Sequence, residues 1–201
     1  MTRTMVNELG GHKSRIDWID FSSDSQFLLT CSKGENIRIW DLATSNIQHE
    51  IRCTPLYAVF SDRGTILVLE SNSLLEYGIT TAELISETPL NKDNQYRIVS
   101  SDGRLVLATQ KTTNRNRRIH LTKLIDLENQ SSIILDGPTE LPESLLISMD
   151  HQWVAASYPR KSSFHLWNLN NPSKYNFKCV GHEQSVESLS FSSDCRWLVS
   201  T

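Results

Sequence analysis

Apolar and polar residues alternate along this chain in short runs, and the same run keeps returning. "FSSDSQFLLTCS" from Phe21 comes back as "FSDRGTILVLES" from Phe60, "VSSDGRLVLATQ" from Val99, "ISMDHQWVAAS" from Ile147 and "FSSDCRWLVST" from Phe191, at steps of 39, 39, 48 and 44 residues. Each copy is an apolar residue, a polar turn of Ser, Asp or Gly, and a β-branched or aromatic run. Two strands joined by a tight turn read this way. A third strand is expected at "NIRIWDL" (Asn36), "SLLEYGI" (Ser73), "HLTKLIDL" (His120) and "SFHLWNL" (Ser163), and a fourth at "NIQHEI", "AELISE", "SSIILD" and "KYNFKCV". No segment carries a helical period. Four strands per ~40–45 residues predict an all-β chain of propeller blades.

The repeats divide a single domain, residues 1–201, into blades at about 11–52, 53–90, 91–136 and 137–180, with an incomplete fifth at 181–201 and residues 2–9 as the outer strand of a closing blade. "GHKSRIDWIDFSSDSQFLLTCSKGENIRIWDL", from Gly11 to Leu42, resembles a whole WD40 repeat, opened by Gly11-His12 and closed near Trp40-Asp41. Gly181-His182 opens a second, and in both the Phe that ends the first strand lies nine positions after the His. The middle blades depart from the pattern: Tyr77-Gly78 and Ile125-Asp126 stand where Trp-Asp is expected, and Trp167 is followed by Asn168. The resemblance implies a WD40-type propeller of about four complete blades plus half of a fifth. A seven-bladed ring at this step needs roughly 300 residues, so the expectation is a natural start and a truncated end. A five-bladed ring completed by the N-terminal strand is the alternative. An open fragment would leave apolar blade faces bare and prone to self-association.

In such repeats the His, a second-strand hydroxyl, an Asp in the next turn and the Trp form a buried hydrogen-bonded line. The matching positions here are His12, Thr30, Gly34 and Trp40, so the line is expected to be one carboxylate short. His12, Thr30, Trp40 and His182 are therefore expected to be structural.

Composition adds exclusions. Hydrophobic residues make up 38% and charged residues 21%, ordinary for a globular chain, and 20 basic against 23 acidic residues give a charge of −3, which argues against nucleic acid as a partner. The absence of a leader-like or long apolar run predicts a cytoplasmic chain without membrane attachment. Cys31, Cys53, Cys179 and Cys195 lack metal-like or disulfide-like spacing, and neither a metal nor a cofactor is expected.

No nucleophile elbow, zinc-protease, Walker or dinucleotide motif is present, so the chain is expected not to be an enzyme. Asp17, Asp93 and Glu143, candidates for a hydrolytic propeller, do not share a repeat position. The expected function is a protein-interaction scaffold for a peptide or protein partner. A hydrolytic propeller or a gene remnant without independent function are the alternatives. Trp18, Tyr57 and Tyr96, spaced 39 and 39 residues apart, are candidate partner anchors. "KTTNRNRR", with Arg115, Arg117 and Arg118, reads as a long basic loop that could grip an acidic peptide or phosphate backbone, although a solvated loop is the simpler account.

Overall fold

The turn that recurs in the sequence folds the same way in four of its five copies. The Ser22 hydroxyl donates to Asp24 Oδ1 (2.6 Å), the Gln26 N–H donates to the same oxygen (3.0 Å), and the Phe27 N–H donates to Ser22 Oγ (2.9 Å). Ser100–Asp102–Arg104–Leu105, Ser148–Asp150–Gln152–Trp153 and Ser192–Asp194–Arg196–Trp197 repeat this set. Short polar side chains that hydrogen-bond the backbone two residues on are what a tight turn selects. The second copy uses Ser61 with Thr65 instead. In all five the fourth turn residue is left-handed: Ser25, Gly64, Gly103, His151 and Cys195 have φ between 55° and 76°.

The computed structural model describes residues 8–32, 35–114 and 117–201, without the side chains of 114 and 117. The chain forms two compact units, 1–90 and 91–201. In the first, β1 (Ile16–Phe21), β2 (Phe27–Ser32), β3 (Ile37–Asp41) and β4 (Asn46–Ile51) make one antiparallel sheet in sequence order. A second is made by β5 (Tyr57–Phe60), β6 (Thr65–Leu69), β7 (Ser73–Gly78) and β8 (Leu84–Pro89). Their apolar faces meet in a core of Leu29, Ile37, Ile39, Ala58, Ile66 and Val68, all nearly inaccessible to solvent. The Phe60 N–H donates to Asp20 Oδ2 (2.8 Å), tying β5 to β1.

The second unit repeats the plan. β9 (Gln95–Val99), β10 (Leu105–Asn114), β11 (Arg117–Asp126) and β12 (Ser131–Leu135) form one sheet, and β13 (Ser144–Ile147), β14 (Trp153–Ser157), β15 (Ser163–Asn168) and β16 (Asn176–Val180) another. β17 (Leu189–Phe191) and β18 (Leu198–Ser200) form a two-stranded sheet, with Val186 and Leu189 packed against Ala155 and Phe164. Among the described residues, four four-stranded sheets and a two-stranded fifth give an all-β, propeller-type architecture. No helix among the described residues is long and apolar enough to cross a membrane.

The structure corrects one element. Of the stretch read as a loop, 111–118, the described residues 111–114 and 117–118 belong to two ten-residue strands, β10 and β11, paired without a break from Leu105↔Asp126 to Asn114↔Arg117. The polar Thr and Asn residues hide the strand pattern, because the described residues of this extension are at most half-buried and do not demand strict apolar alternation. Apolar surface is exposed at Ile19 and Phe21 on β1, and at Trp197 and Val199 around β18.

Candidate functional site

The first blade's polar line is complete. Trp40 Nε1–H donates to Thr30 Oγ1 (2.8 Å), Thr30 Oγ1 lies 2.7 Å from His12 Nε2, and His12 Nδ1 lies 3.1 Å from Glu35 Oε2. A carboxylate can only accept, so the His12 proton sits on Nδ1 and the Thr30 hydroxyl donates to Nε2. Gly34, the position expected to lack the anion, lies outside the described residues; its neighbour Glu35 supplies the carboxylate. That corrects the expected gap. Glu35 also receives the Lys13 N–H (3.0 Å). Burial pushes the Glu35 carboxyl up, but hydrogen bonds from His12, Ser14 and the Lys13 backbone outweigh it and hold the group below the usual carboxylate range.

In the fifth blade His182 Nε2 lies 2.7 Å from Ser200 Oγ, the position that corresponds to Thr30. In blades two to four, strand register places Val68, Ala108 and Ala156 there, and none can take part in such a line. Blade four keeps its Trp nonetheless. Trp167, fully buried, donates its indole N–H to the Asp136 carbonyl (2.8 Å) and stacks on His165 (centroids 5.6 Å, 29°). A Cβ on Gly137 would lie 2.9 Å from the Trp167 ring, so glycine is what lets this carbonyl approach.

The aromatic anchors do not form one set. Trp18 and Tyr57 are half-buried and stack across β1 and β5 (centroids 6.0 Å, 30°). Trp18 Nε1 is shielded from solvent and has no hydrogen-bond partner among the described residues. Burial, and secondarily the Asp20 carboxylate, push the Tyr57 phenol up to about 12. Burial likewise raises Asp20 against the lowering effect of the Phe60 and Phe21 N–H groups. Tyr96 is in the other unit, buried, with its hydroxyl donated to the Asn91 carbonyl (3.0 Å). A buried ring cannot anchor a partner, so Tyr96 is removed from the anchor set. Arg118 is exposed on β11; Arg115 and the Arg117 side chain lie outside the described residues.

Among the described residues no group of three His, Cys, Asp or Glu could hold a metal, and Asp17 pairs with Arg15 (3.0 Å). A cleft of about 490 Å³ opens in the second unit, lined in part by Arg104, Leu124, Asp126, Ile133, Asp150 and His151. Its charges are engaged in turns: Arg104 Nη2 meets Asp126 at 2.8 Å, and His151 Nδ1 meets Asp102 at 3.2 Å. The Arg104 hydrogen bond holds the Asp126 carboxyl far below the usual range, aided by Asn129. A carboxyl that is more acidic folded than unfolded stabilises the fold above the unfolded pKa near 4, and this contribution fades as pH falls toward the depressed folded value. Urea midpoints should therefore drop as pH falls below about 4. The Asp126→Asn variant should show a shallower drop, and equal slopes would refute the assignment.

A family model described as "WD domain, G-beta repeat" matches residues 3–41 and 173–201, the two regions that carry the His-to-hydroxyl contact. The U3 small nucleolar RNA-associated protein 21 homolog of Schizosaccharomyces pombe is 41% identical over 59 residues, 27% of this chain and 6% of that protein. The Ribosome biogenesis protein WDR12 homolog of Aedes aegypti is 26% identical over 190 residues, 92% of this chain and 34% of that protein. The WD repeat-containing protein 89 homolog of Dictyostelium discoideum is 29% identical over 83 residues, 41% of this chain and 23% of that protein. The chain thus spans about a third or less of each relative.

Proposed function

We propose that this chain, which is built of WD40 repeats, is a non-catalytic scaffold that docks a protein partner through an extended peptide at the Trp18–Tyr57 pair. The observation that carries this reading is the half-buried Trp18–Tyr57 stack on the first strands of two packed blades. Aromatic rings held by strands are effective anchors. The names of two relatives refer to ribosome biogenesis and to a small nucleolar RNA, and we extend the proposal to an assembly role in that setting. Cell fractionation separates this from the cytoplasmic location expected from the sequence.

Selection from a random peptide library on the intact chain tests the docking site. Peptides enriched on the wild type should lose about tenfold or more in affinity on Trp18→Ala and on Tyr57→Ala, since anchor truncations typically cost about 2 kcal/mol or more. Trp18→Phe should lose part of that. Retention of every enriched peptide by both alanine variants would sink the proposal.

A further inference from the structure

The hairpin of β10 and β11 leaves its sheet. β9 pairs with β10 only as far as Thr109, and β12 pairs with β11 only from Thr122 onward, so residues 110–114 and 117–121 pair in sheet register with each other alone. Its base is fixed by the His120 N–H, which donates to the Thr139 carbonyl (2.7 Å). Side chains alternate faces along a strand, and directly paired residues share a face. Lys111 pairs with His120 and Thr113 with Arg118, which puts these four on one side of the ribbon. Lys111 and Arg118 are diagonal neighbours there, roughly 7–8 Å apart at the backbone. Both are exposed.

From Gly103 to Ile125 the chain holds six Lys or Arg and no Asp or Glu, within a protein whose charge is −3. Among the described residues Lys111 and Arg118 have no ion-pair partner, although Arg104, at the foot of the same hairpin, has two. A solvated surface normally mixes signs, so a basic face on a ribbon without acidic residues, paired in sheet register only with itself, suits an anion.

We propose that this ribbon is an RNA-contacting arm that lays its Lys111–Arg118 face along the phosphate backbone of a helical RNA. The ribbon offers no Phe, Tyr or Trp on which unstacked bases could rest, which argues against single strands. It does offer the Thr113 hydroxyl beside the cations, a donor and acceptor group that suits phosphates and 2′-hydroxyls. The chain-wide negative charge is no obstacle, because the contact is local and salt-screened over about 10 Å.

The test is titration of the full chain with a fluorescent RNA duplex of arbitrary sequence, the DNA duplex of the same sequence, and poly-glutamate as competitor. Removing both cations in Lys111→Ala plus Arg118→Ala should weaken RNA binding about tenfold at moderate salt and reduce the log–log salt slope by about two. The charge-keeping pair Lys111→Arg plus Arg118→Lys should bind like the wild type. Should the alanine pair lower the melting midpoint, Lys111→Gln plus Arg118→Gln provides the comparison. Unchanged binding in the charge-removed variant, equal affinity for the DNA duplex, or displacement by poly-glutamate at equal charge would each overturn the proposal; the last would assign the face to an acidic peptide. Peptide docking at Trp18 and Tyr57 stands or falls separately.

Discussion

Thr30→Val should destabilise the chain by about 3 kcal/mol, while Thr30→Ser should cost about 1 kcal/mol or less. Valine keeps the volume and removes the hydroxyl. It would strand two polar atoms at once, the buried Trp40 N–H and His12 Nε2, since Thr30 Oγ1 accepts from the first at 2.8 Å and lies 2.7 Å from the second. Each unsatisfied buried group costs about 1–3 kcal/mol. Serine keeps the hydroxyl and gives up only a methyl, as the fifth blade already does at Ser200. Urea unfolding of the whole chain measures the difference; if its two units unfold apart, hydrogen exchange at Leu29 and Cys31 does. A serine variant weaker than the valine variant would mean that the methyl, and not the hydrogen-bonded line, matters at this position.

The same line shows what could be read before the structure and what could not. His12, Thr30 and Trp40 are legible because each sits at a fixed distance from the repeated turn, and the ladder pairing Leu28↔Trp40 keeps that spacing. Glu35 is missed because the expectation looks one residue earlier, at Gly34; a carboxylate on a loop can reach the same imidazole from a neighbouring position. The departure of the middle blades is also legible, once strand register is used. Val68, Ala108 and Ala156 replace the hydroxyl, and the Gly-His pair is absent in those same three blades. A His without its hydroxyl partner would be a buried polar group with nothing to bond, so losing one relaxes the need for the other.

Two features lie beyond the reach of pattern. The ribbon at 110–121 has no fully buried face among its described residues: Gln110, Thr112, Ile119 and Leu121 share one side and are only half-buried, so the run of Thr, Asn and Arg at its far end reads equally well as loop. The partition of the three aromatics is invisible too. Trp18, Tyr57 and Tyr96 share a spacing, yet Tyr96 is buried with its hydroxyl satisfied at 3.0 Å, while Trp18 and Tyr57 keep partial exposure. Equal sequence spacing places residues at equivalent strand positions. It does not decide which way a bulge turns them, and both β1 and β10 shift register close to these side chains.

Blade four carries the other large expected effect. Trp167→Ala should cost about 4 kcal/mol, the usual range for truncating a fully buried aromatic, because the ring is wholly enclosed, stacked on His165 and hydrogen-bonded to the Asp136 carbonyl. This Trp stands where Trp40 stands but over Ala156, and its N–H has found a backbone acceptor from the segment before the blade. That solution depends on Gly137, where any side chain would begin 2.9 Å from the ring. Gly137→Ala alone should therefore cost about 1–3 kcal/mol through overpacking. The coupling is testable: once the ring is gone, the added methyl has room, so Gly137→Ala in the Trp167→Ala background should cost little. Additive losses in that cycle would mean that Gly137 answers to the backbone of its own turn and not to the indole, and the account of how blade four keeps its Trp without a hydroxyl would fail.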